Sequence, residues 1–201
     1  MESAQSRFAL HAAAREGKVT VVESLLNADP KLARLKDDDG RLPIHWAASS
    51  NQPAIVLLLA QQKDFDPDAQ TVMHFVASKN NLDVARKLFE NKPPASARVR
   101  DKRGQYALHR AAAVGSVPMV NLLLKNRSPL NATDMAGFTA LHHAVAEGHG
   151  EPRDVAVALL KAGAETDKRD SDGRLALDLA PDKEVRKYIE REAEKEGIDL
   201  E

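Results

Sequence analysis

The chain has 201 residues, 43% of them hydrophobic and 29% charged, with a net charge of −1 and no cysteine. Near-neutrality argues against general attraction to nucleic acid or acidic membranes, and the absence of thiols excludes a disulfide framework and thiolate chemistry. No apolar run reaches the ~20 residues of a membrane-spanning helix. The opening Met1-Glu2-Ser3-Ala4-Gln5 lacks the basic-then-apolar layout of a secretion signal, so a soluble intracellular protein is expected.

Taken in chain order, the predicted elements repeat. A short helix over residues 8–14 (F-A-L-H-A-A-A) is ended by Gly17, and a longer one follows around Leu25-Leu26. Asp37-Asp38-Asp39-Gly40 then reads as a hairpin turn. The unit returns at 42–48 (L-P-I-H-W-A-A) with Leu59-Ala60, and at 72–77 (V-M-H-F-V-A) with Leu88-Phe89. It returns again at 107–115 (A-L-H-R-A-A-A-V-G) with Leu123-Leu124, and at 139–145 (T-A-L-H-H-A-V) with Leu159-Leu160. Asp101-Lys102-Arg103-Gly104, Asp134-Met135-Ala136-Gly137 and Asp170-Ser171-Asp172-Gly173 supply further D-x-x-G turns. A degenerate copy at 175–180 (L-A-L-D-L-A) precedes 182–189 and a Glu/Lys-rich end. This reads as the polar cap that a terminal repeat needs.

The motif histidine lies 14 residues before the aliphatic pair in four copies. In the fifth the interval is 17, with the extra residues around Gly150-Glu151-Pro152-Arg153. A period of about 33 residues around a T-P-L-H-x-A core is the ankyrin signature. The expected fold is all-α: an ankyrin-repeat solenoid of about six helix-turn-helix units with hairpin loops. It forms a single domain over 1–201, with repeats near 4–36, 37–66, 67–100, 101–133, 134–169 and 170–199. Val21, Val22, Ile55, Val56, Met119, Val120 and Val155 fall at helical spacing and are assigned to the packing core.

One junction breaks the register. The step from His45 to His74 is 29 residues, against 33 to 36 elsewhere, and no D-x-x-G tip separates Gln70 from Thr71. Either this hairpin is truncated or a segment, up to one repeat, is missing there. The second reading is slightly favoured, because a stack tolerates loss of a whole unit better than loss of a turn.

The chain contains nothing with the layout of an active site. Neither a phosphate-binding G-x-x-x-x-G-K-[ST] loop nor a supported Ser/His/Asp set occurs, and Gly148-His149-Gly150 is only a turn. His11, His45, His74, His109 and His142 sit one repeat apart at the motif position, so they line up along a stack instead of converging. Each is expected to bond the hydroxyl or backbone of the neighbouring hairpin. His142 and His143 point to different faces of one helix, and His143 with His149 lacks a third metal ligand. No catalytic residue, cofactor or metal site is expected.

The variable positions remain: hairpin tips, the residue after each motif histidine, and inner-helix ends. These line the concave face of such stacks. Here they include Arg41, Lys79, Asp38, Asp39, Trp46, Phe75, Lys102, Arg103, Arg110, Phe138, His143 and Glu147, with Arg15, Ser78, Gln105 and Arg174 beside them. Arg and Trp are common interface anchors. A basic strip of Arg41, Lys79, Lys102, Arg103 and Arg110 would select a partner with an acidic patch.

Four segments resemble the gankyrin family. They are residues 36–46 (K-D-D-D-G-R-L-P-I-H-W), 77–81 (A-S-K-N-N), 108–116 (L-H-R-A-A-A-V-G-S) and 146–150 (A-E-G-H-G), the last closest to fungal-type members. The resemblance implies a non-enzymatic assembly chaperone of the proteasome regulatory particle, monomeric by itself and working in the cytoplasm and nucleus. Its concave face would grip the C-terminal domain of one ATPase subunit of the base until assembly is complete. By the same resemblance, Arg41 and Lys79 would pair with acidic residues of that domain. The family has seven repeats where six are counted here, and the deficit falls at Gln70/Thr71. A general ankyrin adaptor for a cell-cycle kinase or transcription factor is the alternative.

Overall fold

The computed structural model describes residues 8–62, 72–147 and 152–200. Among them are eleven α-helices and no strand, beyond a single bridge between Arg169 and Leu175. The chain divides into two compact units, Met1–Ser96 and Ala97–Glu201. The first holds α1 (Ala9–Glu16), α2 (Val19–Ala28), a 3-10 turn (Pro30–Arg34), α3 (Pro43–Ser49), α4 (Pro53–Ala60), α5 (Val72–Ser78) and α6 (Leu82–Glu90). The second holds α7 (Ala107–Val114), α8 (Val117–Lys125), α9 (Ala140–Ala146), α10 (Pro152–Lys161), a 3-10 turn (Ala176–Leu179) and α11 (Lys183–Lys195).

Helices this short are marginal alone, so packing and caps must hold them. Inner helices α1, α3 and α5 pack in succession, as do α7, α9 and the second 3-10 turn. Small residues permit the close approach: Ala14, Ala47, Ala77, Ala111, Ala112 and Ala144 are fully buried. Outer helices pack likewise, α2 on α4 on α6, and α8 on α10 on α11. They bury Val22 and Leu26, Ile55 and Leu59, Val84 and Leu88, Met119 and Leu123, and Val155 and Leu159. Each such side chain contributes about 1.5–3 kcal/mol. One core assignment is corrected. Val21 is 42% exposed, because burying Val22 and Leu26 on one face of α2 turns their neighbour outward.

The caps follow the chemistry of the sequence. Ser116, Asn81 and Asp182 accept N–H groups at the starts of α8, α6 and α11, and Pro begins α3 and α4. Gly17 and Gly115 end α1 and α7 with φ of 76° and 87°. After α3 and α5 that left-handed position is taken by Asn51 and Asn80 (φ 55° and 52°), asparagine being the side chain best suited to replace glycine there. All four D-x-x-G turns form: the N–H of Gly40, Gly104, Gly137 and Gly173 donates to the carbonyl of its aspartate at 2.9–3.0 Å. The C-terminal α11 buries Val185, Ile189 and Ala193 and leaves a charged outer face. The Gln70/Thr71 junction and the turn at 148–151 lie outside the described residues. No helix among the described residues is long and apolar enough to cross a membrane.

Candidate protein-binding site

The hairpin aspartate organises the candidate residues of the first unit. Oδ1 of Asp37 accepts the N–H groups of Asp39 (3.0 Å) and Arg41 (2.7 Å), and its Oδ2 accepts the indole Nε1–H of Trp46 (2.8 Å). Burial disfavours this carboxylate, but the three donors outweigh that effect and hold its pKa below the ordinary value. Trp46, the chain's only tryptophan, is half-buried on α3. The guanidinium carbons of Arg15 and Arg41 lie 5.5 and 5.6 Å from its ring centroid, within cation–π range. Arg15 is exposed on the last turn of α1, and Arg41 is exposed just past the hairpin glycine. Asp38 and Asp39 form the exposed tip of that turn. Phe75 is half-buried on α5, and the exposed Lys79 follows that helix, its N–H bonding the Phe75 carbonyl at 2.9 Å. Among the described residues Arg15, Arg41 and Lys79 make no ion pair.

The same device recurs in the second unit. Asp101 accepts Arg103 N–H (2.8 Å) and Gln105 N–H (2.9 Å) on Oδ1, and Nη2 of Arg110 (3.0 Å) on Oδ2. Asp134 accepts Ala136 N–H and Phe138 N–H on Oδ1; its Oδ2 meets Nε2 of Gln105 (2.9 Å) and Nε2 of His143 (3.0 Å). Burial works against ionised Asp134, and the bonds from Gln105, His143 and the backbone reverse the balance, lowering its pKa. Phe138 stacks on His142 (5.5 Å, 17°) and meets His143 edge-on (5.4 Å, 70°). Lys102 and Arg103 are exposed and without ion pairs among the described residues, while Glu147 is exposed just past α9. Met135, on the adjacent hairpin tip, is 79% exposed, and its N–H bonds the Arg103 carbonyl at 3.0 Å.

The candidate residues therefore fall into two classes. Trp46, Arg110 and His143, each following a motif histidine, are tied to the aspartate nine positions earlier. Arg174 is likewise held by Asp170, through Nε at 2.9 Å. Arg41, Lys79, Lys102 and Arg103 carry charges that no carboxylate among the described residues neutralises. The motif histidines are scaffold. Nδ1 of His45, His109 and His142 accepts the N–H of Leu42 (2.8 Å), Tyr106 (3.0 Å) and Thr139 (3.2 Å), so that nitrogen is bare and the proton sits on Nε2. From Nε2 it reaches the next hairpin: His11 to the Arg41 carbonyl and His109 to the Ala132 carbonyl, both at 3.1 Å, and His142 to that of Arg174 at 3.4 Å. Burial, reinforced by the nearby His143, lowers the pKa of His109 to about 4. Burial also lowers those of His11 and His142.

Comparison with known proteins places this arrangement. Residues 2–71 and 73–170 match the family model of ankyrin repeats. The chain is 34% identical to a protein of Saccharomyces cerevisiae named "Probable 26S proteasome regulatory subunit p28", over 92% of this chain and 98% of that one. The chain belongs to the gankyrin-like family of ankyrin-repeat proteins. An ankyrin repeat-containing protein of Schizosaccharomyces pombe is 32% identical, over 82% of this chain and 86% of its own length. Among solved structures, an ankyrin repeat domain from Acinetobacter baumannii superposes with a TM-score of 0.78 at 24% identity, covering 96% and 99% of the two chains. That likeness concerns the fold alone.

For a gankyrin-like chain, two observations bear on the broken register. The alignment with the yeast protein runs over 226 positions, more than the 201 residues present here, so some positions of the relative have no counterpart in this chain. The three copies of the ankyrin match fall in two spans, which part at residue 72, beside the Gln70/Thr71 junction. Sequence reasoning missed the anchoring aspartates Asp37, Asp101 and Asp134. Their signal was present: in three repeats an aspartate precedes a side-chain donor by nine residues. The exposure of Met135 follows from its place in the D-x-x-G turn at 134–137, although it was not counted among the candidate residues.

Proposed function

We propose that this chain is a proteasome assembly chaperone that binds the C-terminal domain of an ATPase subunit of the regulatory particle base. The carrying observation is its near full-length likeness to the yeast protein named as a 26S proteasome regulatory subunit. Ankyrin stacks are binding surfaces that act by occupying a partner. Arg41 and Lys79 of the first unit, which no carboxylate among the described residues neutralises, supply the steering charge that an acidic patch on the ATPase domain would complete. A domain so occupied is sterically kept from premature docking on the proteolytic core. Release then accompanies completion of the particle, in the cytoplasm and nucleus.

The test measures the affinity of the full chain for each purified ATPase C-terminal domain, with and without Arg41→Glu plus Lys79→Glu. One domain should bind, and the double variant should weaken it by at least a hundredfold. Binding that the variant leaves undiminished removes the proposed site. A pull-down that recovers no regulatory-particle subunit removes the proteasome and leaves a general ankyrin adaptor.

A further inference from the structure

The first unit places two arginines on one aromatic ring. Arg15 comes from the end of α1 and Arg41 from the following hairpin, yet both guanidinium groups lie over the one tryptophan, at 5.5 and 5.6 Å from its centroid. Neither forms an ion pair among the described residues, although Lys18, close to Arg15 in sequence, is paired with Glu16 at 2.6 Å. The indole N–H is already spent on Asp37 at 2.8 Å, so Trp46 offers only its ring and cannot swing away without breaking that bond. Two like charges are thus held by one aromatic side chain that is itself pinned. In water such an arrangement is tolerated at modest cost, and it gains most from a ligand carrying two negative charges.

We propose that Arg15 and Arg41, held over Trp46, form a two-cation clamp for a pair of carboxylates on one face of a partner helix. Both guanidinium carbons lie within 5.6 Å of one point, so they are at most twice that distance apart. Acidic residues one helical turn apart, with Cβ atoms roughly 5–6 Å from each other, can reach both. A bidentate carboxylate contact is the geometry that guanidinium serves best. A single carboxylate engaged bidentately by one arginine leaves the other unpaired, which makes two carboxylates the preferred ligand. The inference rests on the reading of Arg41 as a contact residue and adds Arg15 and the spacing of the acidic residues it recognises.

Because Trp46 is the only tryptophan, its fluorescence reports on the clamp in the full chain. The probe is a helical peptide with glutamates at i and i+4, compared with its Gln/Gln and single-Glu counterparts at low ionic strength. The two-glutamate peptide should change Trp46 emission saturably and bind at least five times tighter than either control. Arg15→Gln and Arg41→Gln should each abolish that preference, whereas Lys31→Gln, which removes one exposed charge elsewhere in the unit, should preserve it. Equal responses to all three peptides, no response, or a preference surviving Arg15→Gln would overturn the clamp. Binding to the ATPase domain separates the clamp from the proposed function. Domain binding that depends on Arg41 but not on Arg15 rejects the clamp and spares the proposed function. A peptide response with no domain binding does the reverse.

Discussion

Lowering the pH from 8 to 5 should destabilise this protein chiefly through its motif histidines, with His109 contributing most. The buried ring of His109 accepts the Tyr106 N–H on Nδ1 and faces the Ala132 carbonyl with Nε2. Protonating Nδ1 breaks the first bond and places a charge in a site already crowded by His143, whose ring centroid is 5.5 Å away. The folded-state pKa is about 4 against an ordinary 6.5. A base whose pKa is depressed by folding binds fewer protons folded than unfolded, so stability is complete above 6.5 and falls as pH drops towards 4. At 1.36 kcal/mol per unit, the full loss from His109 is about 3 kcal/mol, of which about 2 kcal/mol is lost by pH 5. For a chain of this length that is a fall of roughly 4–8 °C in Tm.

The carboxylates do not confuse the measurement. Asp37, Asp134 and Asp170 all have lowered pKa values, so the stability they contribute is lost only below their ordinary value near 4. His11 and His142 shift in the same direction as His109 and add to the effect. Circular dichroism in urea at pH 8 and pH 5 reads the total. His109→Gln, less stable at every pH, isolates one share: its pH dependence over this window should be smaller by about 2 kcal/mol. An unchanged pH dependence in that variant, or an NMR titration of His109 with a midpoint near 6.5, would refute the assignment of a bare, buried Nδ1.

Three further outcomes follow from the hairpins. Gly137→Ala and Gly173→Ala place a Cβ at nearly the same φ (77° and 80°), but only at Gly137 would it meet the next hairpin, 2.9 Å from Asp170 Cα and Ser171 N. Gly173→Ala should cost about 1–2 kcal/mol for its left-handed backbone. Gly137→Ala should cost at least ~3 kcal/mol, since overpacking adds its own term, and equal urea midpoints for the two variants would contradict the close approach. Asp37→Ala removes the anchor of two backbone N–H groups and of Trp46, with an expected loss of about 2 kcal/mol and a red shift in tryptophan emission; an unshifted spectrum would mean the indole bond is not formed. Arg110→Met should remove the guanidinium from Asp101 Oδ2 and cost about 1 kcal/mol, whereas Lys102→Met, removing a charge without an ion pair among the described residues, should leave the stability within ~0.5 kcal/mol.

The fold was legible because the determinants of a repeat are local and recur. The H-x-A-A motif marks inner helices where alanine must be small, the aliphatic pair marks outer helices, and D-x-x-G marks turns whose glycines all take positive φ. What escaped was of another kind. Asn51 and Asn80 perform the glycine role at two helix ends, a substitution that composition permits but does not announce. Val21 falls at helical spacing with the core positions, but the buried face of α2 is narrow: it takes Val22 and Leu26 and leaves Val21 42% exposed, whereas α4 and α8 bury the adjacent pairs Ile55–Val56 and Met119–Val120.

The candidate site shows the same limit more sharply. Position in the repeat indicated which side chains stand at variable positions; of these, Arg41, Lys79, Lys102 and Arg103 are exposed and without ion pairs among the described residues. It could not indicate which of them are already engaged. Trp46, Arg110 and His143 occupy equivalent positions, differ completely in chemistry, and are bound by equivalent aspartates. A carboxylate accepts an indole, a guanidinium or an imidazole N–H with little change in geometry, so the hairpin sets a place for a donor and leaves its identity free. That freedom lets binding specificity vary while the turn is preserved. In the first unit the donor is an aromatic ring, and the consequence is specific: the ring, once pinned by Asp37, collects Arg15 and Arg41 over itself. With arginine at that position, as in Arg110 of the second unit, the charge is consumed by the turn. With tryptophan, two charges stay available to a partner.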